Sequence, residues 1–134
     1  MELTHITCCG ETAPLSVDSP LRFRYRADRA VSACRIVIRK AADGCVVYDT
    51  GSCPQPGAPG VTVAFAGEPR TAYTAELTVY AADGETAAGQ CRFETGLSDA
   101  DTADGWIGAP GTAAPRFTRA VTVTGMCRRG RLYV

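Results

Sequence analysis

The chain of 134 residues carries 14 basic and 14 acidic side chains, a single His, 46% hydrophobic residues and 7% aromatics. Zero net charge, with Arg128-Arg129 as long as any run of basic residues, excludes the electrostatic footprint of a nucleic-acid binder or a polybasic membrane anchor. Apolar stretches fall far short of the roughly 20 residues that span a bilayer. The N-terminus has no basic stretch followed by an apolar run, so a cytoplasmic protein without a signal peptide is expected.

In chain order, a first strand is expected near Glu2 to Thr7, with His5 a surface or strand residue. Leu21-Arg22-Phe23-Arg24-Tyr25-Arg26 alternates apolar with Arg, the pattern of a strand with one wet face. Leu21, Phe23 and Tyr25 are therefore expected in a core. Arg22, Arg24 and Arg26 form either an anion-binding stripe or a guard against edge pairing. Cys34, Ile36 and Ile38 alternate with Arg35, Val37 and Arg39, so Cys34 reads as a small buried hydrophobe.

Asp43-Gly44 is a hairpin turn, followed by a short strand Cys45 to Tyr48 and a surface loop, Cys53 to Gly60, containing three Pro. Val61, Val63 and Phe65 alternate again. From Ala72 to Ala81, Tyr73, Ala75, Leu77 and Val79 point inward and Thr74, Glu76, Thr78 and Tyr80 outward. Ala41-Ala42-Asp43-Gly44 recurs as Ala81-Ala82-Asp83-Gly84, which is shared turn chemistry. Cys91 and Phe93 face inward on a last strand.

This spacing predicts an all-β fold: a seven-stranded fibronectin type III or immunoglobulin-like sandwich over residues 1–97. Tyr73 sits where such folds place a corner tyrosine whose hydroxyl bonds back to the chain. Residues 98–115 read as a linker rich in Asp, Gly and Pro around the single Trp, Trp106. Alternation returns at Phe117 to Val123 and in Leu132-Tyr133-Val134, a C-terminal extension of one or two strands. Residues 116–134 are thus expected to be the truncated start of a second domain. Such strands, short of their own sheet, are expected to fold back on the sandwich or to pair between two molecules as a homodimer.

The chemistry is sparse. Seven Cys at scattered positions with one His do not give zinc-ligand spacing, so no metal and no cofactor is expected. Free thiols are the default in the cytosol; Cys8-Cys9 and the loop-flanking Cys45 and Cys53 are the pairs that oxidation could join. Asp99, Asp101 and Asp104 cluster in the linker without an enclosing core, where nothing desolvates a carboxyl. No nucleophile elbow, phosphate loop or His-Glu-x-x-His occurs. No catalytic residue is assigned. Trp106, Tyr48 and Tyr80 are the candidates for stacking on a sugar ring or packing against a neighbouring domain, and Tyr73, Phe23, Tyr25 and Phe93 are structural.

Several short motifs occur in order: Cys34-Arg35-Ile36, Tyr48-Asp49-Thr50-Gly51, Ala81 to Gly84, Phe93-Glu94-Thr95-Gly96-Leu97, Trp106-Ile107, Phe117-Thr118-Arg119 and Arg131-Leu132-Tyr133-Val134. Their order resembles the N-terminal region of bacterial α-L-rhamnosidases, glycoside hydrolases that remove terminal rhamnose. There a fibronectin type III-like module ends in Phe-Glu-Thr-Gly-Leu and is followed by a Trp-Ile pair and a β-sandwich, so the resemblance implies that the second domain begun at 116–134 is a β-sandwich. Phe23-Arg24-Tyr25 departs from that family's Phe-Ser-Trp, and Ala75 stands where it has an aromatic. The resemblance implies a non-catalytic module whose partners are the other domains of the parent glycosidase, with the paired carboxylates in a later helical barrel. A carbohydrate-binding module and a free-standing interaction domain are the alternatives.

Overall fold

The computed structural model describes residues 1–54, 60–102, 118, 120–127 and 130. The chain divides into two units, Met1–Ala103 and Asp104–Val134. In the second unit the described residues are exposed and lie in no strand. Phe117, Arg119 and 131–134, on which the expected C-terminal strands largely rest, lie outside the described residues.

The first unit is an antiparallel β-sandwich built from β1 (Leu3–Cys8), β2 (Leu21–Ala27), β3 (Ala33–Lys40), β4 (Val46–Asp49), β5 (Cys53–Pro54), β6 (Gly60–Val63), β7 (Ala72–Tyr80) and β8 (Thr86–Glu94). One sheet has the order β1-β2-β6; the other runs β4-β3-β7-β8, with β5 also paired to β3. The chain changes sheets after β2, before β6 and after β6, the crossing connectivity of immunoglobulin-like sandwiches.

Alternation in the sequence becomes alternation in burial. Leu21, Phe23 and Tyr25 of β2 are buried and the three arginines between them exposed. Tyr73, Ala75, Leu77 and Val79 of β7 are buried in the same way. The core closes between the sheets around an aromatic cluster. Phe65 meets Tyr73 edge-on at 5.2 Å, Tyr73 stacks on Phe93 at 5.4 Å, and Phe23 meets Phe93 at 6.3 Å. Such pairs add to the burial of large rings.

The two Asp-Gly turns are alike in detail. Gly44 and Gly84 take φ values of 74° and 89°, and the preceding Asp accepts the amide two residues on, from Cys45 at 2.9 Å and Glu85 at 3.1 Å. Glycine reaches this region without a Cβ clash, and the Asp side chain fixes the turn.

Two features differ from the expected pattern. The expected count is seven strands, and the two-residue β5 makes eight among the described residues. Strand β4 covers β3 from Val37 to Arg39, which leaves the edge at Ala33 and Cys34 open, and Cys53–Pro54 pairs with it. The second difference is a β-bulge: Ile38 pairs with Tyr48 but Arg39 with Val46, so Val47 has no partner. Both Val46 and Val47 are exposed, and Tyr48 falls on the Ile38 face.

Candidate functional site

The Phe93–Leu97 motif ends β8 and leaves the sandwich, and each of its residues has a distinct job. Phe93 is the stacking partner of Tyr73. Glu94 is buried, its amide donating to Pro14 O at 3.0 Å and its carbonyl accepting from Val17 N at 3.0 Å. The Thr95 amide donates to Thr71 O at 3.0 Å, and its hydroxyl accepts the Thr71 amide at 3.0 Å and donates to Glu68 O. Gly96 O accepts the Arg70 amide at 2.8 Å. A Cβ on Gly96 would lie 2.8 Å from Ser16 Oγ, so a larger residue here would force the Ser16 side chain to shift.

The motif therefore stitches two loops of the sandwich, 14–18 and 67–71, to the end of the last strand. A short 3-10 turn, Asp99–Thr102, follows. Ser98 donates to Asp101 Oδ2 through its amide at 2.9 Å and its hydroxyl at 2.7 Å, and Asp101 pairs with Arg70 at 3.3 Å. Arg70 itself sits at a φ of 53°, a conformation that costs a non-glycine residue energy and is held by the hydrogen bond its amide donates to Gly96 O.

Beside this junction lies a depression of about 210 Å³, lined among others by Leu21, Phe65, Pro69 and Leu97, with Asp18 and Ser98. Its polar groups do not make a reacting set. The Ser98 hydroxyl faces a carboxylate, and the Ser98 donors, then Arg70, hold Asp101 below the ordinary carboxylate range. A general acid of a glycosidase needs the opposite shift. Resolved shifts at Asp28, Asp43 and Asp49 also point down, each led by a hydrogen bond to the ionised form. What the arrangement shows is a set of hydrogen bonds and one ion pair that tie residues 94–101 to the loops at 14–18 and 67–71.

The expected site residues fall in different places. Trp106 and Asp104 lie outside the described residues. Tyr48, a candidate for stacking on a sugar ring, turns inward, edge-on to Phe65 at 5.8 Å, because the bulge at Val47 shifts its alternation by one. Tyr80 stays on the outer face, half-buried, so the two tyrosines lie on opposite faces of their sheet and form no platform. Asp99 and Asp101 share the 3-10 turn. Tyr25 is buried, with its hydroxyl unpartnered among the described residues. His5 is exposed at the β1 bulge with a φ of 52°.

The thiols separate by exposure: Cys8, Cys34 and Cys91 are buried, and Cys9, Cys45 and Cys127 exposed. Cys53 lies opposite Cys34 in the β3–β5 pair, not with Cys45, and the Cys8 and Cys9 sulfurs are 4.0 Å apart. Among the described residues no group of three or more His, Cys, Asp or Glu is placed to hold a metal ion. No helix among them is long and apolar enough to cross a membrane. Sequence reading missed the Thr95–Thr71–Glu68 network and the Arg70–Asp101 pair. A polar residue at the end of an alternating strand, Thr95, was the available signal.

No family model matches the chain, and no curated protein does. Among solved structures it is similar to the α-L-rhamnosidase of Dictyoglumus thermophilum, with a TM-score of 0.62 at 19% identity over 75% of the chain. The α-L-rhamnosidase of Streptomyces avermitilis, solved with L-rhamnose, gives 0.57 at 26% identity over 71%. CopC of Methylosinus trichosporium OB3b gives 0.50 at 18% identity over 69%, a likeness of fold alone. The chain covers 13% and 10% of the two rhamnosidase chains and 95% of CopC. The sandwich thus corresponds to a small part of two α-L-rhamnosidases.

Proposed function

We propose that this chain is a non-catalytic, fibronectin type III-like module of an α-L-rhamnosidase-like glycoside hydrolase, and that it positions a neighbouring domain. One observation carries the reading. The Phe93–Leu97 motif, one of those whose order carries the resemblance to that family, is a hydrogen-bonded junction at the exit of a sandwich that matches small parts of two rhamnosidases. A rigid exit transmits orientation, and a flexible linker does not. Ser98 and Arg70 hold the Asp101 carboxyl of the junction ionised, which supports an architectural role over an acid-base one.

Two assays test the proposal. The purified chain is expected to leave an aryl α-L-rhamnoside intact. Turnover proportional to its concentration would overturn the non-catalytic reading. When the junction is weakened in the full-length parent by Thr95→Val, rhamnosidase activity is expected to become more heat-labile. Unchanged lability, in a parent whose sandwich has measurably loosened, would overturn the positioning role.

A further inference from the structure

Strands β2 and β3 each lie in the interior of their sheet and each place three cations on the chain, yet they treat them differently. The β3 cations are all paired: Arg35 with Asp49, Arg39 with Glu76 at 3.2 Å and Lys40 with Glu68 at 2.6 Å. Among the described residues Arg22, Arg24 and Arg26 have neither an ion pair nor a side-chain hydrogen bond, and all three are exposed. β1 pairs one side of the strand and β6 pairs the other from Leu21 to Arg24, so guarding an edge does not explain Arg22 and Arg24.

The register fills out the face. Arg22 lies opposite Thr62, Arg24 opposite Thr7, and Arg26 opposite Thr4. Alternate residues of a strand are roughly 6.7 Å apart, so the three arginines leave the backbone over about 13 Å, with Thr62 and Gly60 on one flank and Thr7 and Thr4 on the other. Like charges side by side on one face repel, and no described residue forms an ion pair with the three arginines to offset this. The described residues of this face include no aromatic or aliphatic anchor. That disfavours a protein partner, whose interface needs an apolar centre, and single-stranded nucleic acid, which needs a stacking platform.

We infer that the outer face of β1-β2-β6 binds a linear carboxylated polysaccharide, a polyuronate, through a row of Arg22, Arg24 and Arg26. Planar guanidinium groups match carboxylates with paired N–H bonds, and a regular row suits a regularly charged chain. The choice of a carbohydrate polyanion rests on the reading of the chain as a glycoside hydrolase module; the anionic character of the ligand does not.

Affinity electrophoresis of the chain in gels containing polygalacturonate, neutral dextran or an oligo-dT strand tests this. Polygalacturonate is expected to retard the protein, dextran to leave it unaffected, and oligo-dT to bind far more weakly. Arg22→Gln/Arg24→Gln/Arg26→Gln is expected to weaken retardation about tenfold or more, as loss of three charge-assisted contacts requires. Arg35→Gln/Arg39→Gln, on the other sheet, is expected to behave as the parent. The single Arg24→Gln variant gives a graded loss should the triple variant fail to fold. Absence of retardation, equal retardation by dextran, or undiminished retardation of the Arg22, Arg24 and Arg26 variants would overturn the inference. Oligo-dT bound as tightly as polygalacturonate would overturn the carbohydrate assignment. The aryl rhamnoside assay and the heat-lability test read the module proposal independently, so the two failures are distinguishable.

Discussion

The Tyr73 hydroxyl accepts the backbone amide of Glu68 at 2.9 Å, closing the turn into β7 from inside the core. The phenol ring is almost fully buried between Phe65 and Phe93, so the amide has its partner where water cannot reach easily. Tyr25 is the counter-example in the same core. Its hydroxyl is buried without a partner among the described residues, and burial, then Cys34, raises its pKa. Tyr73→Phe is expected to cost about 1 to 3 kcal/mol, the price of an orphaned amide. Tyr25→Phe is expected to be neutral or to stabilise by up to about 1 kcal/mol. Urea unfolding of both variants checks the pair, and the opposite ranking would refute the assignment.

Thr95→Val keeps the shape of the side chain and removes one hydroxyl that serves Thr71 N and Glu68 O. Two part-buried backbone groups then lose a partner, and about 1 to 3 kcal/mol of destabilisation is expected. Amide hydrogen exchange should rise first at Thr71 and around 67–71. Faster exchange at the far Asp43-Gly44 turn instead would show that the motif does not hold this end together.

Thiol reactivity follows burial. Desolvation, followed by neighbouring thiols, raises the Cys8 pKa well above its ordinary value and pushes Cys91 up to about 11, and burial raises Cys34. A raised thiol is protonated at neutral pH and is a poor nucleophile. Reaction of the native protein with a chromogenic disulfide at pH 8 is expected to label Cys9, Cys45 and Cys127 quickly. Cys8, Cys34 and Cys91 should follow only on unfolding. Fast native labelling of Cys34 or Cys91, mapped by mass spectrometry, would contradict the packing.

Asp49 has its pKa lowered to about 2, chiefly by the Arg35 side chain and next by the Gly51 amide, which donates at 2.9 Å. The sign follows from linkage. A folded-state pKa below the unfolded value of about 3.9 means the contribution is fully present above pH 4 and is lost as the pH falls toward 2. Arg35→Gln is expected to move the Asp49 titration up toward the ordinary carboxylate value without restoring it fully, because the Gly51 amide remains. Carboxyl carbon shifts followed against pH measure it, and an unmoved midpoint would discard the pairing.

Much of the sandwich was legible because burial on both sheets obeys a period of two. Leu21, Phe23, Tyr25, Cys34, Ile36 and Ile38 all face the core as their alternation requires. Tyr48 was not legible, since a one-residue bulge reverses every side chain after it and Cys45-Val46-Val47-Tyr48 carries no mark of a bulge. Strand β5 was hidden in a proline loop, where its pairing depends on how far β4 extends along β3. The junction was half visible: Phe93–Leu97 stood out as a motif, but its partners at 14–18 and 67–71 are joined to it only by the fold. The meaning of the β2 arginines turned on whether that strand is central or at an edge, which the sequence does not state.

The central claim, that this sandwich belongs to a rhamnose-releasing glycosidase, is tested most directly by capture from the source cells. Antibodies raised against residues 1–102 are used to isolate the native polypeptide, and the captured material is assayed on an aryl α-L-rhamnoside and sized by mass spectrometry. The account predicts that rhamnosidase activity is captured in a polypeptide carrying these residues together with further domains. Efficient capture of a polypeptide without that activity would contradict it.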